Sequence, residues 1–304
     1  MSASGIAVFV DRAVVSVTGA DAETFLQGIV TNDLAPLQAE RAMFAGLLSP
    51  QGKVLFDFLL LKTSGGYWID IAKSVADDLT KRLVMYKLRA KVDIAQLSDH
   101  LVYAVWPRAD FDVYVNGIAK QAKDAKLHAY IDPRNVLLGG RWITRGAAKQ
   151  GERKSFKDAA RLSLIDYDAH RISLGVPEGG KDYLFGELFP HEAMFDQLNG
   201  VSFTKGCYVG QEIVARMQHR GTARSRFLMV AAAGPLPERG TEVLADNKPI
   251  GQMGSSVGPS GLALIRLDRL GDAYNESKPI TVGGVAVTLA KPPFATFQVP
   301  EPQS

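Results

Sequence analysis

The sequence is short of cysteine, with a single thiol, Cys207, among 304 residues. One thiol cannot form a disulfide within the chain, which indicates a reducing compartment, and we therefore expect the protein to be cytoplasmic. A metal site made by this chain alone would need ligands other than sulfur. Because the five histidines show no metal-ligand spacing, we predict no metal site within the chain.

Long apolar runs and an excess of one charge are also missing. The most apolar stretch, VLFDFLLLK at 54–62, is short and interrupted by Asp57, and it predicts a buried strand. The N-terminus lacks the basic and apolar regions of a secretory signal. The formal net charge of +3 is too small to indicate a nucleic-acid-binding face. We therefore expect neither a membrane nor nucleic acid among the partners.

The elements that are present indicate an α+β fold. Residues 6–18 predict two short strands, and 155–177 predicts a helix ended by glycine and proline. After about residue 222, short strand candidates separated by glycine-rich turns predict a small β-barrel with no long helix. We therefore divide the chain into a body at 1–222 and a barrel at 223–304. Residues 73–94 predict an amphipathic helix, whose apolar face is formed by Val75, Leu79, Leu83, Val84 and Leu88.

One helix start can be placed from its cap. Asp21 precedes a segment in which Phe25, Leu26 and Ile29 have helical spacing. We expect the Asp21 carboxylate to accept hydrogen bonds from the first backbone N–H groups of this helix.

The thiol lies in the segment KGCYVGQE, residues 205–212, where a glycine-bearing loop runs into a predicted helix. A thiol near a helix N-terminus and near Lys205 is favoured as thiolate, the form that attacks electrophiles and binds metals. Gly206 and Gly210 would allow the backbone to approach a ligand closely. The alternative is a small buried cysteine in an ordinary glycine turn, and the residues alone leave both interpretations open.

KGCYVGQE resembles the signature of the YgfZ-type folate-binding proteins, which are linked to iron–sulfur cluster assembly and repair. FLQGIVTNDL (25–34), LLSPQGKVLFDFLL (47–60) and residues 171–221 resemble other parts of that family in the same order. The family is related to the glycine-cleavage T-protein, an aminomethyltransferase. The resemblance implies a cloverleaf of two ferredoxin-like α+β modules, the second at about 98–150, plus a C-terminal β-barrel around a central folate channel.

The resemblance also implies a site for tetrahydrofolate or a derivative, with or without a polyglutamate tail. Glu192, in the segment FPHE, matches the pterin-binding glutamate. A carboxylate suits that role because it can accept two parallel N–H bonds from the pterin. Asn32 matches a position that lines the folate, and the charges of Arg171 and Arg216 suit its anionic tail. Tyr208 and Gln211 are assigned to the same ligand, and Gly206, Gly210 and Glu212 complete the motif.

Each assignment has an alternative from the residues alone. Glu192 is then a solvated loop charge, Asn32 a turn residue, and each arginine part of an ordinary basic surface. One departure concerns the T-protein's paired aspartates, because Phe56 and Asp57 stand in their place. A phenyl ring can neither accept a proton nor offer a cationic intermediate the negative charge of a carboxylate.

We therefore predict a folate-binding accessory protein for assembly or repair of 4Fe–4S clusters, in which Cys207, Lys205 and Asp57 carry the chemistry. Its expected partners are folate and either iron–sulfur assembly proteins or client 4Fe–4S enzymes. The alternative is an enzyme, a tetrahydrofolate-dependent aminomethyl or one-carbon transferase that uses Asp57. A third possibility is a protein-interaction module that has lost its ligand.

Overall fold

The computed structural model describes residues 5–39, 41–107, 111, 128–146, 160–221 and 223–301. The chain forms two compact units. The first unit comprises residues 1–48, 56–167 and 199–209. The second unit comprises residues 49–55, 168–198 and 210–304.

The first unit contains two five-stranded sheets. One sheet has the order β3-β4-β5-β2-β6, with strands β2 Arg12–Thr18, β3 Ala42–Leu48, β4 Val54–Thr63, β5 Gly66–Ala72 and β6 Asp93–Gln96. The other has the order β10-β1-β7-β9-β8, with strands β1 Gly5–Phe9, β7 His100–Trp106, β8 His128–Ile131, β9 Gly140–Arg145 and β10 Ala160–Arg161. The two strands predicted over 6–18 are confirmed, and they belong to different sheets. The apolar run at 54–62 is confirmed as a buried strand, β4.

A buried ionic network links the two sheets of the first unit. The Asp70 carboxylate on β5 accepts hydrogen bonds from Arg12 Nε at 2.6 Å, Arg141 Nη1 at 2.8 Å and the Tyr130 hydroxyl at 2.9 Å. Burial alone would raise the pKa of Asp70, but the charges of Arg12 and Arg141 hold it below its usual value. Since Arg12 is on β2 and Arg141 on β9, the network fixes one sheet against the other.

The helix predicted at 73–94 is shorter, with α2 spanning Ala76–Lys87 after a 3₁₀ turn at Lys73–Val75. Leu79 and Leu83 are buried as expected, but Val84 and Leu88 are 48% and 86% exposed. The predicted apolar face is therefore wrong at its C-terminal end. The helical spacing breaks because Leu88 adopts φ 44° and ψ −107°, which no helix continues.

The helix start predicted at Asp21 is confirmed by α1, Ala22–Gln27, but the reason given for it is wrong. The Asp21 carboxylate makes no hydrogen bond to the helix and accepts one from the Lys91 backbone N–H at 2.8 Å. The neighbouring turn supplies a backbone donor that competes with those of the helix, so the carboxylate pins the turn.

The second unit contains a closed six-stranded barrel of order β11-β14-β13-β12-β15-β16. Its strands are β11 Ser225–Ala232, β12 Glu242–Ala245, β13 Lys248–Val257, β14 Ser260–Arg266, β15 Ile280–Val282 and β16 Val285–Ala290. The predicted α+β fold with a C-terminal barrel is confirmed. The sequence analysis missed helix α5, Leu267–Asn275, in which Leu270 and Ala273 pack on the barrel core.

Two further α-helices are α3, Leu164–Ser173, and α4, Gln211–Arg220, and a 3₁₀ turn spans Val136–Leu138. The helix predicted over 155–177 is confirmed only at 164–173, since β10 precedes it and 155–159 lies outside the described residues. The predicted module at 98–150 includes 108–110, 112–127 and 147–150, and the predicted boundary falls on Thr222. All of these lie outside the described residues too, so both limits stay predictions. No helix in the described part of the chain is long and apolar enough to cross a membrane.

Candidate functional site

The cysteine loop, which we define as residues 199–209, belongs to the first unit. Burial alternates along it. Lys205 and Tyr208 are each 7% exposed, whereas Gly206 and Cys207 between them are exposed. The loop therefore directs two large side chains inward and presents the thiol outward. The alternative of a buried cysteine in a turn is wrong for this structure.

Lys205 is the first inward anchor of this loop. Its Nζ donates hydrogen bonds to three backbone carbonyl oxygens, those of Gln27 at 2.7 Å, Val30 at 2.7 Å and Asn32 at 3.0 Å. Gln27 ends α1, so its carbonyl is one that the helix itself leaves without a partner. Burial lowers the pKa of Lys205 to about 8, although the charge of Asp33 acts in the opposite direction. The geometry gives Lys205 an anchoring role, and its activation of the thiol stays a prediction.

Tyr208 is the second anchor. Its ring centroid lies 5.1 Å from the Lys205 ammonium, within the range of a cation–π contact. Burial raises the pKa of Tyr208 to about 12, so the phenol keeps its proton at neutral pH and is a hydrogen-bond donor. The anchors on both sides of Gly206–Cys207 therefore also contact each other.

Asn32 ties the same loop to β3. Its amide nitrogen donates to the carbonyl oxygens of Phe44 at 2.9 Å and Asn199 at 2.6 Å, and its amide oxygen accepts from the Asp33 N–H. The neighbouring Thr31 hydroxyl donates to the Gly200 carbonyl at 2.6 Å. Both amide donors of Asn32 are bonded to the main chain, which is the arrangement expected of a turn residue. Its place in a folate pocket stays a prediction.

The two glycines of the motif have different roles. Gly210 has φ 82° and occupies the N-cap of α4, a left-handed conformation that favours glycine. A Cβ added at Gly206 would meet no atom of the described residues within 4 Å, and its φ is not positive. The described part of the chain therefore does not require glycine at 206.

Asp57 and Phe56 lie side by side on β4, only 4% and 6% exposed. Both side chains lie inside the first unit, where a carboxylate is costly to bury unless partners stabilise it. Its role in transfer chemistry stays a prediction.

The FPHE segment belongs to the second unit and is held by several polar contacts. Glu192 is half-buried, and its Oε2 accepts a hydrogen bond from the Phe189 N–H at 3.0 Å. His191 Nε2 lies 3.0 Å from Gln218 Oε1. Arg226 forms a two-pronged ion pair with Asp196 at 2.7 and 2.9 Å and donates to the His191 carbonyl. The sequence analysis missed this support, because nothing in the sequence distinguishes Arg226 from the basic residues around it.

The arginines assigned to the folate tail differ in exposure. Arg171 is fully buried, and its guanidinium donates to Asp182 Oδ2 at 2.6 Å, the Val176 carbonyl at 2.7 Å and the Ser255 hydroxyl at 2.8 Å. An exposed basic position is therefore wrong for Arg171, which joins the segment after α3 to β13. Arg216 is exposed, and its guanidinium lies 3.7 Å from Glu212, a weak surface pair.

The structure thus groups Lys205, Gly206, Cys207, Tyr208 and Asn32 in the first unit. Glu192, Gln211, Glu212, Arg216 and Gly210 lie in the second unit, where Gln211 is half-buried at the first turn of α4. Over the described residues, no group of three or more His, Cys, Asp or Glu side chains is arranged to hold a metal ion.

Comparison with known proteins identifies the fold and the family. The crystal structure of the glycine cleavage system aminomethyltransferase T from Bartonella henselae aligns with a TM-score of 0.76 at 14% identity, covering 97% of this chain and 87% of that one. A family described as CAF17, C-terminal beta-barrel domain, matches residues 224–297. The chain therefore has the aminomethyltransferase-like fold, with a C-terminal barrel of the CAF17 type.

Two mammalian proteins carry the family assignment. The iron-sulfur cluster assembly factor IBA57, mitochondrial, of Homo sapiens is 34% identical over 279 residues, covering 85% of this chain and 76% of the human protein. The protein of the same name from Mus musculus is 34% identical over 280 residues, with the same coverage. This chain belongs to the IBA57 family of iron–sulfur cluster assembly factors.

Proposed function

We propose that this protein acts in the assembly or repair of iron–sulfur clusters, and that Cys207 is the residue that meets the cluster or its carrier. The exposed thiol between two buried anchors is the observation that carries the proposal. A thiol serves redox chemistry, thiol exchange or iron ligation only if a reaction partner can reach it. The names of the relatives support the cluster as the cargo.

With a single thiol, this chain alone cannot supply all the ligands of a 4Fe–4S cluster. A 4Fe–4S cluster takes four thiolates as a rule, and this chain has one. The cluster is then a substrate that passes through, with the remaining ligands supplied by an assembly protein, a client 4Fe–4S enzyme or a second subunit. We keep a cytoplasmic location as part of the proposal, since it rests on cysteine content, and the mitochondrial location belongs to the named relatives.

Complementation tests the role of the Cys207 thiol. The cells used lack the endogenous factor and have low 4Fe–4S enzyme activity. Wild type should restore that activity, and Cys207→Ser should fail to restore it at the same protein level. Thr204→Ser, an exposed position in the same loop, is the matched control and should restore activity fully. Full restoration by Cys207→Ser would refute a role for the thiol.

Tetrahydrofolate is the ligand we propose, with Glu192 as the residue that holds its pterin. Glu192 fits this role because an ionised carboxylate has about four acceptor sites and the Phe189 N–H occupies one of them. When bound, the folate would itself serve as a carrier of one-carbon units or electrons. Arg216 is exposed and suits the anionic tail, whereas the buried Arg171 does not.

Titration of tetrahydrofolate into the purified full chain tests the ligand. Glu192→Gln should weaken binding by about tenfold or more, because a charged acceptor is lost. Glu187→Gln, at an exposed position five residues before Glu192, is the matched control and should bind as wild type does. If wild type binds no folate and still rescues cluster enzymes, the protein is an interaction module without this ligand.

One observation favours the transferase as a second candidate. Asp57 is a buried carboxylate in a protein with the aminomethyltransferase-like fold, and a buried charge could stabilise a cationic intermediate. Single-turnover transfer from a folate adduct to an amine should then occur with wild type and be lost in Asp57→Asn. Folate binding without any turnover would reject this candidate and leave the assembly role.

A further inference from the structure

The C-terminal end of α2 and the turn after it form an exposed surface that the proposed function does not use. We define this basic tip as residues 81–91, in the first unit. Three apolar side chains are exposed there, Val84 at 48%, Met85 at 58% and Leu88 at 86%. Lys81, Arg89 and Lys91 are exposed beside them. A contiguous apolar patch with a charged rim is a typical contact surface.

The strained backbone conformation at Leu88 indicates a functional role for this side chain. The turn Lys87–Ala90 is closed by a hydrogen bond from the Ala90 N–H to the Lys87 carbonyl at 2.7 Å. Leu88, with φ 44° and ψ −107°, has the conformation of the first central residue of a type II′ turn, which glycine normally occupies. A leucine in this position is strained, and strained residues concentrate at functional sites.

The base of the turn is held firmly. Lys87 Nζ donates to the Val92 carbonyl at 3.0 Å, and the Lys91 N–H donates to the Asp21 carboxylate at 2.8 Å. The fold therefore fixes the turn while leaving the leucine side chain outside.

Charge within residues 79–92 is of one sign, while Asp77 and Asp78 precede this segment and Asp93 follows it. Residues 79–92 include five lysines and arginines and no acid, while the whole chain has a net charge of only +3. Lys81 is 3.5 Å from Asp78 in an exposed pair. Arg89 and Lys91 form no ion pair within the described residues. Without these five charges the net charge of the chain falls from +3 to −2, so an anionic surface would favour this end of α2 over the chain as a whole.

We propose that the basic tip binds the surface of an anionic lipid membrane. Leu88 and Met85 enter the boundary between headgroups and acyl chains, while Arg89, Lys91 and Lys81 meet the lipid phosphates. A bilayer accepts a protruding side chain without a matching pocket, which suits a leucine as exposed as Leu88. The contact lies on the membrane and does not span it, and it revises the expectation that no membrane is a partner. It does not depend on the proposed cluster function.

Co-sedimentation of the full chain with vesicles tests this proposal. One set contains phosphatidylcholine alone and the other also contains phosphatidylglycerol. We expect binding only to the anionic vesicles, weakened by added salt. Leu88→Gly should lower the partition coefficient about tenfold, and removing one charge by Arg89→Gln should lower it about fivefold. Ile165→Gln and Lys248→Gln, exposed positions outside the tip, should bind as wild type does.

Leu88→Gly is informative because glycine suits this turn, so lost binding cannot be attributed to unfolding. No binding to anionic vesicles by wild type would overturn the proposal and point to an acidic protein as the occupant. Equal binding by wild type and Leu88→Gly would also overturn it, since adsorption by charge alone would explain the result. Self-association of the free chain that Leu88→Gly abolishes would instead make the tip an interface between copies, against the proposal.

Discussion

The cysteine loop and the basic tip each present one exposed side chain from the first unit, and they do so in opposite ways. Cys207 is exposed because Lys205 and Tyr208 on its two sides are buried and Lys205 satisfies three carbonyl groups. Leu88 is exposed at a turn position whose backbone conformation is unfavourable to leucine. The first arrangement stabilises the folded state, whereas the second costs free energy that the rest of the fold must offset.

The difference bears on how firmly each side chain is placed. The Lys205 ammonium donates to three carbonyls at and after the end of α1 and so attaches the cysteine loop to that backbone. The Cys207 thiol is therefore positioned before any partner binds. The turn at Leu88 is also held in place, by the hydrogen bonds at its base. Its strain, however, would be relieved by replacing Leu88 with glycine. The two loops should therefore respond to mutation with opposite signs.

The largest effect should come from removing the anchor of the cysteine loop. Lys205→Met keeps an apolar stem and leaves three carbonyl oxygens without their donor, so we expect the free energy of unfolding to fall by about 2–4 kcal/mol. Urea denaturation measures it. Alkylation of Cys207 in the folded protein should also change rate, because the loop loses its fixed position. Lys62→Met, which removes one ion pair to Glu23, is the control, and an equal loss there would refute the anchor.

The pH dependence of stability sharpens the same point. Burial lowers the pKa of Lys205 to about 8 from 10.5. Between these values the unfolded chain holds a proton that the folded chain has released, so stability rises with pH; below about pH 8 both states are protonated and the contribution is flat. We expect wild type to gain about 1–2 kcal/mol relative to Lys205→Met over this range, since solvent screens part of the effect. Parallel curves for the two proteins would contradict the assignment.

The elements of the fold were largely predictable from sequence, and the roles of the polar residues were not. Apolar spacing identified β4 and the core of α2, because burial of apolar surface follows the period of each element. The same spacing failed at Leu88, which follows the end of the helix, and at Val84, which lies inside α2 but is exposed. Nothing local to Lys205 shows that its partners are carbonyls near α1. Nothing local to Arg171 or Asn32 shows that they bond Ser255 and Asn199, and such contacts exist only in the folded chain.

A smaller effect of opposite sign is expected at the basic tip. Leu88→Gly should raise the free energy of unfolding by about 1 kcal/mol, because glycine adopts this conformation without strain. Met85→Gly, also exposed but inside α2, should lower it by about 1 kcal/mol, the usual cost of glycine in a helix. Urea denaturation of both variants beside wild type gives the comparison. A loss of stability in both would show that Leu88 is not strained.

The smallest effect on stability should be at Gly206, next to the thiol. Because an added Cβ meets open space and φ is not positive, Gly206→Ala should change the free energy of unfolding by less than about 0.5 kcal/mol. Gly210→Ala, at φ 82°, should be destabilised by about 1 kcal/mol or more. If Gly206→Ala then fails to restore 4Fe–4S enzyme activity, the cause is not a loss of stability. The added methyl group would instead obstruct the partner that approaches Cys207. Full restoration would mean that the partner reaches the sulfur without close contact to the backbone at 206, and the exposed cysteine loop would then act through its thiol alone.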